Sequence, residues 1–251
     1  LFDISEIKVE GNESMDTETV LLDVDLQENE RFNAEQIEKS IKSLKNTGYY
    51  SNVQVDFEPT STEEGSAAGK VIITVEEART RTLSFGAGTG TSGIVGELSY
   101  GDNNLGGTGN SLSLQLKKMA ELTKIGLVYR DAHLMDSDYS MSLAASYTAE
   151  ESSAYDEEKI SATLMIQKQL TENLKMGVGT RIEFLNLSDI NEEIKLSDYN
   201  ADGEDKVLGM VGTLLYKSQT KDTAGDVKEG VTIHMALLPS YADQGAYIKA
   251  Y

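Results

Sequence analysis

The chain has 251 residues, a formal charge of −20 and no cysteine, with 25% of residues charged and 39% hydrophobic. This balance excludes a disordered tail and a helical membrane protein, and the charge opposes nucleic acid and anionic headgroups, whose phosphates it would repel. Disulfide frameworks and thiolate chemistry are excluded too, and no apolar run reaches the ~18 residues of a membrane-crossing helix. Membrane-crossing strands stay compatible with the composition, because alternation dilutes their hydropathy. The chain starts with Leu and shows no basic-then-apolar leader, so it reads as a mature or excised piece.

Residues Ile4 to Val9 alternate, with Ile7 and Val9 set between Glu6 and Lys8, and Gly11-Asn12 ends this first strand. Asp16 or Thr17 is placed to cap a helix containing Val20, Leu21 and Val24. A second helix starts at Asn33, with Gln36 three residues on and Phe32 and Ile37 spaced as a hydrophobic staple. Ile37, Ile41 and Leu44 share one face. Glu35 with Lys39 and Glu38 with Lys42 are spaced as acid-first pairs, and Gly48 is the expected stop. Val53, Val55 and Phe57 alternate along a second strand, and Lys70 to Glu76 forms a third. The order strand–helix–helix–strand–strand predicts an α+β domain over residues 1–80, two helices on one face of a three-stranded sheet. Such a sheet keeps an exposed edge to which an extended partner can add by main-chain hydrogen bonding.

Ile7-x-Val9-x-Gly11-Asn12, Leu44-x-x-x-Gly48-Tyr49-Tyr50-x-x-Val53 and Val75-Glu76 together resemble a polypeptide-transport-associated (POTRA) domain. The resemblance implies a periplasmic domain that binds unfolded or partly extended polypeptide ahead of an outer-membrane barrel.

From residue 81 to 251 alternation dominates. Leu112, Leu114 and Leu116 form one apolar row. Met141, Leu143, Ala145 and Tyr147 form another; Ile160, Ala162, Leu164 and Ile166 a third. Met176, Val178, Ile182 and Phe184, then Val231, Ile233, Met235 and Leu237, continue the pattern. Each segment runs roughly nine to twelve residues, the length of a tilted bilayer-crossing strand, and about ten segments are visible. Their polar faces carry Ser, Thr, Gln, Lys and Glu, which suits a water-filled interior. Thr171-Glu-Asn173 reads as a tight turn, and Ala149–Glu158 and Asn186–Asp205 read as solvent loops.

Gly86-x-Gly88, Asn104-Leu-Gly106-Gly107-x-Gly109, Arg130-Asp131-Ala-His-Leu and the segment from Lys221-Asp222 to Gly230 are similar to barrel segments of outer-membrane assembly and translocation proteins. The family barrel has more strands than are visible here, which implies a truncated or reduced version.

Several spacings imitate other chemistry. Gly88-x-Gly90-x-x-Gly93 matches a dinucleotide-binding loop but leads into the strand-like Ile94 to Tyr100, where a phosphate cradle needs a helix. Asp198, Asn200 and Asp202 copy the front of a calcium loop, yet its twelfth position is Gly209 where a bidentate Glu is required. His133 and His234 are the only histidines, too far apart in sequence to suggest a zinc pair. His133 has Asp131, Asp136 and Ser137 nearby but no nucleophile motif.

The expected molecule is therefore a POTRA domain (1–80) joined to the first part of an antiparallel transmembrane β-barrel (81–251). It has no catalytic set and needs no cofactor. The resemblance implies outer-membrane localisation with residues 1–80 in the periplasm. Its implied partners are unfolded or β-rich clients, the lipid bilayer and accessory assembly proteins; nucleic acid is excluded. Val53, Val55 and Phe57 mark the edge expected to take up a client strand. Leu83, Phe85, Gly86 and Gly88 mark a glycine-rich first barrel strand whose pairing should be loose enough to open as a gate. A passive channel or surface-exposed binding barrel is the alternative.

Overall fold

In the computed structural model of the chain, the described residues are 3–60, 68–90, 93–171, 173–191, 203–221, 227–242 and 245–250. They fall into two compact units: Leu1–Thr82 with Gly101–Ser111, and Leu83–Tyr100 with Leu112–Tyr251.

In the first unit, β1 (Asp3–Glu10) pairs in parallel with β3 (Ala68–Glu77), which pairs antiparallel with β2 (Tyr50–Thr60), giving the order β1-β3-β2. Helices α1 (Thr17–Leu22) and α2 (Ala34–Thr47) separate β1 from β2. The expected α+β order is thus the observed one. Ile4, Val20, Leu44, Val53, Val71 and Ile73 form the core, with Ile37, Ile41, Phe32 and Phe57 packed around it. At the start of α2 the Asn33 side chain accepts the Glu35 N–H at 3.0 Å, and Gly48 ends the helix at φ 75°.

One expected pairing differs, and one buried residue carries no apolar signal. Lys39 pairs with Asp25 at 2.7 Å, across from the helix, because the chain after α1 runs beside α2. Ser40, which no apolar pattern marks, is fully buried; its hydroxyl donates to the Gln36 carbonyl at 2.8 Å and accepts the Asp25 N–H at 2.9 Å. The Tyr50 hydroxyl donates to Met15 Sδ at 2.7 Å, and burial pushes that phenol's pKa up.

The second unit carries a meander of ten strands, each beside its sequence neighbours. In chain order they are β4 (Arg81–Gly90), β5 (Gly93–Asp102), β6 (Ser111–Lys118), β7 (Leu122–Asp131) and β8 (Tyr139–Glu151). Then follow β9 (Asp156–Thr171), β10 (Leu174–Ser188), β11 (Gly203–Lys221), β12 (Val227–Ala242) and β13 (Gly245–Ala250). The sheet is open, with β4 at one edge and β13 at the other.

Strands β8 to β12 are longer than their apolar rows suggest. Ala149 pairs with Glu158, Glu150 with Glu157 and Glu151 with Asp156, so most of the expected loop 149–158 is hydrogen-bonded ladder. Leu185 to Leu187 pair likewise with Asp205 to Gly203. Backbone pairing does not require apolar side chains, so the ladders run on where the side chains become acidic and solvated.

Candidate functional site: two sheet edges and an apolar face

The apolar rows fall into register across the second sheet. Ile125 faces Tyr147, which faces Ile160, which faces Phe184. One step along, Leu127, Ala145, Ala162, Ile182, Leu208 and Tyr241 form a continuous line. Leu143, Leu164, Thr180 and Met210 follow, then Met141, Ile166, Val178, Gly212 and Leu237. Because side chains alternate strictly along a strand, this register puts every row on the same face. That face is exposed: Val178 is 63% and Met210 65% accessible, and Val231, Met235 and Leu237 are more than half exposed. An apolar belt crossing this many strands far exceeds the patches that water-soluble surfaces carry.

The opposite face is mostly polar. Gln115 donates to Glu97 at 2.8 Å, the Ser146 and Ser161 hydroxyls bond at 2.8 Å, and Arg181 meets Glu183 at 2.6 Å. Between β9 and β11, however, lies a packed patch in place of the expected water-facing surface. Met165, Val207 and Val211 are buried there, and a Cβ at Gly179 would stand only 2.5 Å from Met165 Sδ. Alternation alone misses this, because glycines leave the room that a cross-strand Met fills.

Two sheet edges matter for strand chemistry. In the first sheet β1 and β2 are the outer strands. The β1 edge is covered along Asp3–Ile7. Ile4 N–H donates to the Glu30 carbonyl and its own carbonyl accepts from Asn29 N–H, both at 2.8 Å; Ile7 N–H reaches Glu28 Oε1 at 3.4 Å. The edge that remains is β2, which carries Val53, Val55 and Phe57. Their side chains are occupied: Val53 is buried, and Phe57 lies over Gly69 and meets Phe32 edge-on at 4.8 Å between ring centroids. Val55 also packs against the core, so at these three positions the main chain is what is left for recognition.

The second edge is β4. Leu83 and Phe85 project on one side at 68% and 87% exposure, and Gly86 and Gly88 face the other. A Cβ at either glycine would meet nothing within 4 Å, so close packing does not require glycine there. The dinucleotide-like spacing falls on the ends of β4 and β5, with no helix following. Asp198, Asn200 and Asp202 lie outside the described residues.

The motif Asn104 to Gly109 is a tight turn between β5 and β6, grouped with the first unit, in which Gly106, Gly107 and Gly109 take left-handed backbone angles. Its supports, Asp102 and Asn104, are buried polar residues that apolar periodicity could not flag. The Asp-Asn-Asn-Leu-Gly-Gly run, with its short polar side chains and glycines, is the signal that finds them.

Residues 2–78 match the POTRA family (surface antigen variable number repeat), and residues 104–237 match the Omp85 superfamily domain. Two curated proteins called outer membrane protein assembly factor BamA are similar. The one from Neorickettsia risticii is 22% identical over 220 residues, covering 85% of this chain and 29% of that protein. The one from Nitratidesulfovibrio vulgaris is 24% identical over 232 residues, covering 91% and 28%. The crystal structure of BamA from Haemophilus ducreyi lacking POTRA domains 1–3 superposes with a TM-score of 0.72 at 16% identity, covering 98% of this chain and 49% of that one. The chain thus spans less than a third of these curated relatives and about half of that structure. With the family match extending over more than half of its length, the chain belongs to the Omp85 superfamily, as a POTRA domain followed by part of an outer-membrane barrel.

Proposed function

We propose that the protein acts in assembly or translocation of β-rich polypeptides at the outer membrane, without enzymatic chemistry, by strand addition at two edges. The register-matched apolar face carries this reading, because it makes the β4–β13 sheet a lipid-facing wall whose first strand stands at an edge. The chain is an outer-membrane protein with its POTRA domain in the periplasm. The β2 edge receives an extended client through main-chain bonds. Each contributes about 0.5–1.5 kcal/mol, which is close to the ~1–2 kcal/mol per residue lost in ordering the client backbone. Capture is therefore weak and reversible, as a hand-over requires. The loosely held β4 then offers its edge as the template on which the client pairs inside the membrane.

The absence of cysteine makes a direct test simple. Gln54→Cys and Asp56→Cys sit on β2 with exposed side chains, and Glu6→Cys sits on the covered β1 edge. With a client carrying single cysteines along one strand, the β2 positions should form disulfides in a pattern repeating every second client residue. Glu6→Cys should form few. Equal trapping from both strands, or none from β2, overturns the strand-addition mechanism.

A further inference from the structure

The chain contains the same turn twice. In the first, the Asp102 carboxylate accepts the Asn104 N–H at 3.1 Å, Gly107 N–H donates to the Asn104 carbonyl, and Thr108 Oγ1 donates to the Leu105 carbonyl at 3.0 Å. In the second, between β7 and β8, Asp131 accepts the His133 N–H at 3.0 Å, Asp136 N–H donates to the His133 carbonyl, and Ser137 Oγ donates to the Leu134 carbonyl at 2.5 Å. Backbone angles agree as well: Asn104 lies at φ −139°, ψ 64° and His133 at φ −131°, ψ 68°, and both turns continue through two left-handed residues.

Those left-handed residues are Gly106 and Gly107 in the first turn but Met135 and Asp136 in the second. The second turn shows that this backbone can be built without glycine, at the modest cost of a left-handed L residue. Something else demands glycine in the first. At Gly106 a Cβ would meet nothing within 4 Å, whereas at Gly107 it would overlap the Ser14 carbonyl oxygen. Around that approach the first turn is bonded to the POTRA fold. Asp16 N–H donates to the Gly107 carbonyl at 3.3 Å and the Tyr49 hydroxyl donates to the Gly109 carbonyl at 2.6 Å. The receiving loop is itself held, because the Glu77 carboxylate accepts the Ser14 and Met15 N–H groups, each at 2.9 Å. From behind, Arg81 Nε bonds the buried Asp102 at 2.9 Å and Asn103 N–H bonds the Thr80 carbonyl at 2.9 Å. Met135, by contrast, is 90% exposed.

We propose that the Asp102–Gly109 turn is a docking joint fastening the POTRA fold to the end of the β5–β6 hairpin, with Gly107 and Tyr49 as positioning residues for client hand-over. The joint rests on the assembly function proposed above and names residues on which that function depends. The second turn supplies the matched controls. Gly107→Asp and Gly106→Met each install the residue that the second turn carries at the same place, and Gly107→Ala adds a minimal Cβ. Amide exchange at Ser14–Thr19 in the full chain reads the joint, client insertion into liposomes reads function, and heat-modifiable gel mobility reports a folded sheet.

Gly107→Asp and Gly107→Ala should speed exchange at Asp16 at least tenfold and slow insertion by a similar factor while mobility stays unchanged. Tyr49→Phe should give a smaller change in the same direction, and Gly106→Met should stay within twofold of the parent in both assays. Unchanged exchange in both Gly107 variants overturns the joint, as does faster exchange with undiminished insertion, or equal damage from Gly106→Met. If the parent chain inserts no client while the exchange contrast between positions 106 and 107 holds, the assembly function fails and the docking contact stands.

Discussion

Replacing both Gly86 and Gly88 by Val tests the gate directly. Each new side chain projects from the same face of β4 into open space, since a Cβ there meets nothing within 4 Å, so no steric term opposes the change. What remains is strand preference. Glycine inside a strand costs about 0.5–1 kcal/mol in backbone entropy, within a strand-propensity range of ~1 kcal/mol. The pair should therefore strengthen β4 pairing by about 1–2 kcal/mol, which lowers the fraction of time the strand is open by about 5- to 30-fold. Amide exchange of β4 should slow by that factor, and the initial rate of client insertion into liposomes should fall with it. Gly126→Val, at an equally open glycine on the interior strand β7, should leave insertion unchanged. If β4 exchange slows as calculated while insertion proceeds at the parent rate, opening of β4 is not on the path and the gate reasoning is wrong.

Two stability predictions follow from the POTRA core. Desolvation pushes the Glu77 carboxyl pKa up, but hydrogen bonds from the Ser14 hydroxyl and the Met15 and Ser14 N–H groups outweigh it and hold the pKa below the ordinary carboxylate value. A lowered folded-state pKa contributes stability above the unfolded carboxylate pKa and loses it as pH falls through the folded value. Glu77→Gln should therefore destabilise residues 3–82 at neutral pH and flatten their acid dependence below about pH 4.5, measured by exchange of the β3 amides across a pH series. Ile73→Ala removes a fully buried side chain from the centre of β3 and should cost about 2–5 kcal/mol of POTRA stability in a urea titration. A change below ~0.5 kcal/mol would mean that the β1-β3-β2 core is not packed as described.

The sequence by itself determined the type and order of nearly every element. Asn33 and Gly48 bracket α2 because an N-cap acceptor and a left-handed stop are local requirements that only a few residue types meet. The rows at Ile160–Ile166 and Met176–Phe184 mark strands because a pleat presents every second side chain to the same surroundings. The tertiary structure decided which partners those elements find. Alternation is blind to register, so only the ladder shows that Ile160, Phe184 and Tyr147 share one exposed line and that β8 and β9 run on through their acidic ends. Edge status is equally invisible in sequence: β1 and β2 both alternate, yet residues 28–31 cover β1, while β2 is the other outer strand of the sheet. The two turns at Asp102 and Asp131 read as unrelated strings, because their shared geometry lies in backbone angles and polar bonds. Only the carbonyl of Ser14, brought in from far along the chain, distinguishes the glycine that docks from the glycine that merely turns.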